Sequence, residues 1–189
     1  VTSDDKVVSD LTTLKGSEIV VTEKMYGQNT TLYRETMHAR SLESSAHESM
    51  DWIKGFWGGI RYLIPDDIRI CGEDVCYRHS ISYENLPSYF LGFSAWRDEV
   101  CLSWDETIAL FAEVGIHPAR EIYRGTFDHE WFANYRFDEQ HQEGYVVRLT
   151  DRFGRAEFAT SVAKFVRADH VTNAKHWKQD VLVKNGLAR

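Results

Sequence analysis

Charged residues stand inside runs that otherwise read as buried β-strand, and this pattern constrains the chain more than any other feature. Lys24 ends the run Ile19-Val20-Val21-Thr22-Glu23, and Glu73 sits within Ile70-Cys71-Gly72-Glu73-Asp74-Val75. Glu143 opens Glu143-Gly144-Tyr145-Val146-Val147-Arg148, and Lys164 interrupts Val162-Ala163-Lys164-Phe165-Val166. Any one of these fits a side chain pointing to water, because charged groups are mostly exposed. Taken together with the aromatic run Tyr89 to Trp96, they suit the walls of a polar pocket for an anionic ligand and a divalent cation. Lys24 carries the most weight. Burying an unpaired amine is costly and lowers its pKa, which helps a nucleophile, since only the neutral amine attacks. The plainer alternative is a β-hairpin turning at Gly27 whose lysine reaches water along its aliphatic stem.

Composition narrows the class. The 189 residues suit one domain with a sizeable core. Hydrophobic residues at 43% and charged residues at 27% fit a globular chain, and no apolar run approaches the roughly 20 residues that span a bilayer. Val1 to Asp10 is polar and acidic, unlike a signal or transit peptide. The three cysteines, Cys71, Cys76 and Cys101, are too sparse for a disulfide framework and fit buried thiols in a reducing, cytoplasmic setting. With His79 they also admit a zinc site, although the Cys-x4-Cys spacing is loose for one. A net charge of −7 argues against a general nucleic-acid coat protein while leaving room for a local basic groove.

The expected order of elements is mixed. Ile19–Thr22 and Thr30–Tyr33 read as strands joined at Gly27, with a short strand at 37–41. Ser44, Ser45, Ala46 and His47 offer caps for an amphipathic helix running to Leu63 and stopped by Pro65. Strands follow at 68–77, 89–96 and 100–102, the last two forming a hairpin. Ser103 or Asp105 caps a helix closed by Gly115. A strand at 121–123, a helix at 128–135 and strands at 144–149 and 163–166 complete the body, followed by a helical tail from Asp169 with Trp177 docked and Lys175, Lys178 and Lys184 exposed. The class is α+β, with antiparallel strands predominating.

Lys24-Met25-Tyr26-Gly27, Gly72-Glu73, Tyr89 to Trp96, Glu143 to Arg148 and the strand around Lys164 fall in the order of motifs of the covalent nucleotidyltransferase superfamily. This superfamily comprises ATP-dependent RNA and DNA ligases and mRNA capping guanylyltransferases. Thr22 to Asn29 and the wording of Glu143 to Arg148 most resemble the RNA ligase 2-type RNA ligases, over residues 18 to 167. The resemblance implies an ATP-grasp-like adenylyltransferase domain of antiparallel sheets flanked by helices, usually followed in this group by a C-terminal domain that grips the nucleic acid. This chain is expected to be a single domain over 1–189 without that separate C-terminal nucleic-acid-binding domain. It implies that Lys24 attacks the α-phosphorus of ATP to form lysyl–AMP. Glu23 would meet the adenine edge, Arg40 the ribose and the nucleic acid, and Glu73 a ribose hydroxyl. Phe93, or Phe90 close by, would stack on adenine. Glu143 would hold Mg²⁺ or Mn²⁺, Lys164 would bind the α-phosphate, and Asn29 would serve the steps after adenylylation. The implied substrates are ATP and RNA with 5′-phosphate and 3′-hydroxyl ends. Arg40, Arg61 and Arg78 are candidates for an RNA track, and no membrane is involved.

Two departures from the family pattern stand out. The last strand often carries Lys-x-Lys, whereas Val162 occupies the first of those positions here. Either Arg167 or Arg148 compensates, or one chemical step is slower. Only the 22 residues 168–189 follow Arg167, so the chain is expected to be a minimal ligase or a catalytic domain, with RNA affinity weak or supplied by a partner protein. A DNA ligase, a GTP-using capping enzyme and a nucleotide-binding module with reduced catalysis are the alternatives.

Overall fold

The computed structural model describes residues 11–40, 47–138, 140–166 and 181–189. The β-branched run Ile19-Val20-Val21-Thr22 forms the centre of β1 (Glu18–Lys24) and is buried throughout. β2 (Gln28–Leu32) and β3 (Met37–Ala39) follow, then α1 (Asp51–Ile60), β4 (Ile68–Asp74), β5 (Phe90–Arg97) and β6 (Val100–Cys101). The second half holds α2 (Trp104–Val114), β7 (His117–Pro118), β8 (Glu121–Thr126), α3 (His129–Asn134), β9 (Gly144–Leu149), β10 (Phe153–Gly154), α4 (Phe158–Ser161) and β11 (Val162–Val166). One sheet has the order β11-β9-β1-β8. The other runs β10-β6-β5-β4-β2-β3, with β7 beside β5. Among the described strands every pairing is antiparallel except β5 with β7.

Each sheet buries its outer face separately. Behind β1, β9 and β11, Ile19, Val21, Tyr145, Val147 and Ala163 meet the α3 aromatics Trp131 and Phe132. Behind the second sheet, Ile68, Ile70, Phe90 and Ala95 pack with Ile53 of α1 and with Phe111 and Val114 of α2. The α2 helix starts as its sequence indicates, with a Ser103–Glu106 capping box, and ends at Gly115. The cap of α1 is more local than expected. His47 Nδ1 accepts the Ser49 N–H at 3.2 Å and opens a 3₁₀ turn (Glu48–Met50) ahead of the helix, while Ser44, Ser45 and Ala46 lie outside the described residues.

The expected hairpin at Gly27 does not form. β1 already has β8 on one edge and β9 on the other, so no edge is left for β2, which pairs with β3 and β4 instead. Met25-Tyr26-Gly27 therefore carries the chain from one sheet to the other. Gly27 passes so close to β4 that a Cβ there would run into the Asp74 carbonyl oxygen. The crossing is braced from beneath by Met25, Val75, Ile81, Tyr83, Leu86 and Leu91.

The tail also differs. Residues 167–180, with Lys175, Trp177 and Lys178, lie outside the described residues, and 181–189 is extended rather than helical. Tyr77 bridges to Lys184, which is exposed, and Leu86 bridges to Leu187. The reason is buried polar satisfaction. The Asn185 side chain accepts the Tyr83 N–H at 2.9 Å and donates to the Val75 carbonyl at 2.8 Å, which a helix there would forfeit.

Among the described residues no helix is long and apolar enough to cross a membrane. Cys71, Cys76 and Cys101 are free thiols, and no cluster of three His, Cys, Asp or Glu among the described residues suits a metal ion, so the zinc reading fails. The close β9–β11 contact supplies a stability test. A Cβ on Gly144 would strike the Phe165 carbonyl oxygen, whereas one on Gly58 of α1 meets nothing within 4 Å. In urea titrations Gly144→Ala is expected to destabilise by about 1–3 kcal/mol or more, and Gly58→Ala to stabilise by about 0.5–1 kcal/mol.

Candidate active site

The inner faces of the two sheets enclose a cleft of about 380 Å³. From the first sheet it takes Thr22, Glu23, Lys24, Val146, Arg148, Val162 and Lys164; from the second, Asn29, Arg69, Cys71, Glu73, Phe93, Ser94 and Trp96. Strand alternation explains both sets. Thr22 lies opposite Val146, which lies opposite Lys164, so these three share one face. On β4 the alternation Ile68-Arg69-Ile70-Cys71-Gly72-Glu73 sends Arg69, Cys71 and Glu73 inward and the isoleucines to the helices.

Phe93 reaches the cleft through a defect in that alternation. Cys71 pairs with Ser94 but Gly72 pairs with Gly92, which leaves Phe93 as the extra residue of a β-bulge. Bulges re-aim side chains, and Phe93 lines the cleft along with Leu91 and Ser94. Phe90 faces the other way. It is fully buried in the core, its ring 5.9 Å from that of Phe56.

Lys24 stands where β1 leaves its sheet. Its Nζ donates to Glu143 Oε2 at 2.5 Å, with the lysine side chain 24% exposed and the glutamate fully buried. Glu143 is thus the one expected site residue behind the cleft wall rather than in it. Glu73 Oε1 accepts the Gly27 N–H at 3.1 Å, tying the crossing to β4. Burial pushes the Glu73 carboxyl up to about 7. The Glu143 charge adds to this, while Lys24 and the Gly27 N–H oppose it. Asp74 is likewise raised to about 7 by burial, against the pull of the Cys76 N–H. The Tyr83 hydroxyl accepts the Tyr26 N–H at 2.9 Å, fixing the loop after the lysine.

The remaining expected residues are brought to the same place. Asn29 and Arg40 are exposed at the cleft mouth, joined through the Arg40 N–H to the Asn29 carbonyl at 3.0 Å. Glu23 borders the cleft, and its carboxylate is held by Arg120 Nε at 2.8 Å. Of the three arginines suggested for an RNA track, only Arg40 borders the cleft. Arg61 pairs with Glu35 at 2.8 Å over the Trp57 ring, and Arg78 is exposed beside Val183. Among the described residues no three metal-ligating side chains converge. A divalent cation fits here only in the manner of Mg²⁺, with most of its shell from substrate oxygens and water. Glu143, the expected ligand, is fully buried behind the cleft wall and held by Lys24, which leaves Glu73 as the carboxylate facing the cleft. Sequence reading missed Arg69 and Trp96, and the two-residue alternation of β4 was the signal that exposes Arg69.

A family model for RNA ligase matches residues 17–166. The chain belongs to the RNA ligase family. No curated protein matches it, but solved structures of an RNA ligase from Naegleria gruberi do. A point mutant of that ligase with ATP and manganese aligns with a TM-score of 0.59 at 14% identity, covering 86% of this chain and 53% of the other. A mutant with AMP and manganese gives 0.57 at 16%, and the form with pyrophosphate 0.56 at 16%, each covering 85% of this chain and 52% of the other. The likeness bears out the nucleotidyltransferase-type fold, and this chain spans about half the length of those structures.

Stability is expected to depend on pH through the raised carboxyls. Glu73 in the folded chain holds its proton to about 7 from an ordinary 4.5. Stability from this group is therefore complete below the ordinary value and falls as pH rises through 7, by up to about 1.4 kcal/mol per pH unit per proton. Urea midpoints at pH 5, 6 and 7 should fall less steeply in Glu73→Gln than in the unsubstituted chain, and less steeply again in Glu73→Gln with Asp74→Asn.

Proposed function

We propose that this chain is an ATP-dependent RNA ligase that works through a lysyl–AMP intermediate on Lys24, transferring AMP to an RNA 5′-phosphate and sealing it to a 3′-hydroxyl. The observation that carries the reading is the placement of Lys24 Nζ, held by buried Glu143 in a cleft that also presents Lys164, Glu73 and Phe93. Membership of the RNA ligase family supports it, as do the ATP, AMP, pyrophosphate and manganese named for the Naegleria ligase structures.

In this reading Phe93 and Val146 take the two faces of adenine from opposite sheets, with the Glu23 strand at its edge. Glu73 accepts from a ribose hydroxyl as a strong acceptor. Lys164, one strand beyond Val146, neutralises the α-phosphate. Lys24 gives up one proton before attack and a second as the phosphoramidate forms; Glu143 Oε2, its hydrogen-bond partner, can take one, and the other leaves through the cleft that Lys24 lines. The Nζ–Pα bond forms as the Pα–Oβ bond breaks, and pyrophosphate leaves with the bonding pair. A divalent cation near Glu143 would supply Lewis-acid neutralisation of phosphate charge. Asn29 and Arg40, at the mouth, are where an RNA end would meet the adenylate. A firm grip on RNA would come from beyond this cleft, through a further domain or a partner protein, and the free thiols suit a reducing, cytoplasmic setting.

The test is to incubate the chain with Mg²⁺ or Mn²⁺ and either ATP or GTP labelled at the α-phosphate, denature one portion to read covalent label, and offer 5′-phosphorylated RNA to a second portion kept native and freed of nucleotide. Covalent label is expected from ATP, far less from GTP, and none on Lys24→Ala. The label should pass to RNA with a 5′-phosphate and not to RNA with a 5′-hydroxyl. Label of equal strength from GTP, or label that never leaves the protein, would count against RNA ligation.

A further inference from the structure

Segment 181–189 lies far from Lys24 in sequence, yet it grips the loop that reaches the residues just after that lysine. The connection 75–89 between β4 and β5 holds no helix or strand of its own. Its two isolated bridges, Tyr77 with Lys184 and Leu86 with Leu187, are both made to segment 181–189. The Asn185 N–H donates to the Cys76 carbonyl at 2.9 Å, the Arg78 N–H to the Val183 carbonyl at 2.7 Å and the Leu86 N–H to the Gly186 carbonyl at 3.0 Å. Tyr83 is held at both of its main-chain groups. Its N–H donates to Asn185 Oδ1 at 2.9 Å, and its carbonyl accepts the Gly186 N–H at 2.7 Å. The Tyr83 hydroxyl accepts the Tyr26 N–H at 2.9 Å, two residues after Lys24. Two hydrogen-bonding steps therefore join Asn185 to the main chain beside the lysine.

A long connection without its own ladder must satisfy its buried main-chain groups elsewhere. Segment 181–189 does this for 75–89, so it sets where Tyr83 stands. Lys24 needs such support. It is the last residue of β1 in the ladder, opposite Gly144, and the chain then leaves the sheet. The residues expected to hold the nucleotide are placed independently. Phe93, Val146 and Lys164 stand on β5, β9 and β11, whose ladders do not include 181–189. Holding the nucleotide and aligning the attacker are thus separable. A small shift of the crossing moves Lys24 Nζ relative to the α-phosphorus while the nucleotide's contacts stay in place. In-line transfer is steeply sensitive to that geometry.

We propose that segment 181–189 is a positioning strap for Lys24. By holding Tyr83 at both main-chain groups it sets the hydroxyl that fixes Tyr26, and so aligns the Lys24 amine without adding to ATP affinity. Tyr83 and Asn185 are positioning residues, and neither lines the cleft. The proposal rests on the lysyl–AMP reading for the step it governs. It adds that the rate of this step depends on how the strap is seated.

The test measures ATP affinity and the single-turnover rate of lysyl–AMP formation at saturating ATP, using the full chain with Mg²⁺. Tyr83→Phe removes the acceptor for the Tyr26 N–H and keeps the ring in its cluster with Met25, Val75 and Leu91. Gly186→Ala leaves Tyr83 intact and displaces the strap, because a Cβ there lies 2.8 Å from the Glu84 carbonyl oxygen. Each is expected to slow the rate about tenfold or more and to change ATP affinity by less than about twofold, since misplacing a reactant by about 1 Å can cost about a hundredfold. The double variant should be no slower than Tyr83→Phe, because the strap acts through that hydroxyl. Unchanged rates, affinity that falls along with rate, or losses that multiply in the double variant overturn the proposal. Should Gly186→Ala fail to fold, Tyr89→Phe takes its place with the same expected outcomes, since it removes the hydroxyl that donates to the Asn185 carbonyl at 2.9 Å. If the unsubstituted chain takes no label from ATP, the lysyl–AMP reading fails, and hydrogen exchange at the Tyr26 amide still decides this one. Exchange that quickens in the strap variant at Tyr26 and not at Val21 of β1 supports the strap, and no change, or an equal change at both, overturns it.

Discussion

The pairing of Lys24 with Glu143 at the seam between two sheets is the contact on which the rest depends. A fully buried carboxylate needs a compensating charge, and breaking such a pair by removing one partner is strongly destabilising. The pair lies where β1 leaves one sheet for the other and where β9 begins, so it joins the crossing at Met25-Tyr26-Gly27 to the strand that lies beside β1. Gly27 against β4, Glu73 on the Gly27 N–H and Tyr83 on the Tyr26 N–H hold that crossing from three further directions. The position of Lys24, the proposed nucleophile, is thereby fixed by backbone contacts instead of by the long lysine stem alone. This rigidity is what a reaction governed by alignment requires.

The cleft concentrates charge that neither sheet would hold alone. Its first-sheet wall carries Lys24, Lys164 and Arg148; its second-sheet wall carries Arg69 and Glu73, with Arg40 at the mouth. A net charge of −7 over the whole chain therefore coexists with a local surplus of cations facing one cavity. Such focusing suits a polyphosphate ligand, and it is why overall charge was a poor guide to the ligand. The raised Glu73 carboxyl belongs to the same balance, since deep burial beside Glu143 outweighs the nearby ammonium.

Much of the site was legible in the sequence because a charge within a β-branched run is conspicuous at short range. Lys24, Glu73, Glu143 and Lys164 could be picked out in that way, and strand alternation then predicts that each shares a face with its neighbours two residues away. The sequence could not show which strands lie side by side. Two strands and a glycine look the same whether the chain turns back on itself or crosses to another sheet, and the outcome here depends on distant β8 and β9 taking both edges of β1. The choice between Phe90 and Phe93 turned on a bulge one residue wide, which leaves no mark on composition. The extended run 181–189 was missed for a related reason. It is held by Asn185 satisfying Tyr83 and Val75, more than a hundred residues away in sequence, while local propensity favoured a helix.

The most direct test of the account is where AMP attaches. The chain would be incubated with ATP and Mg²⁺, digested, and its peptides mapped by mass spectrometry under conditions that preserve phosphoramidates. The account predicts a single AMP adduct on Lys24, lost on brief exposure to acid and reversed by added pyrophosphate. An adduct on Lys164 or on a hydroxyl side chain, or tightly bound ATP with no adduct, would contradict it.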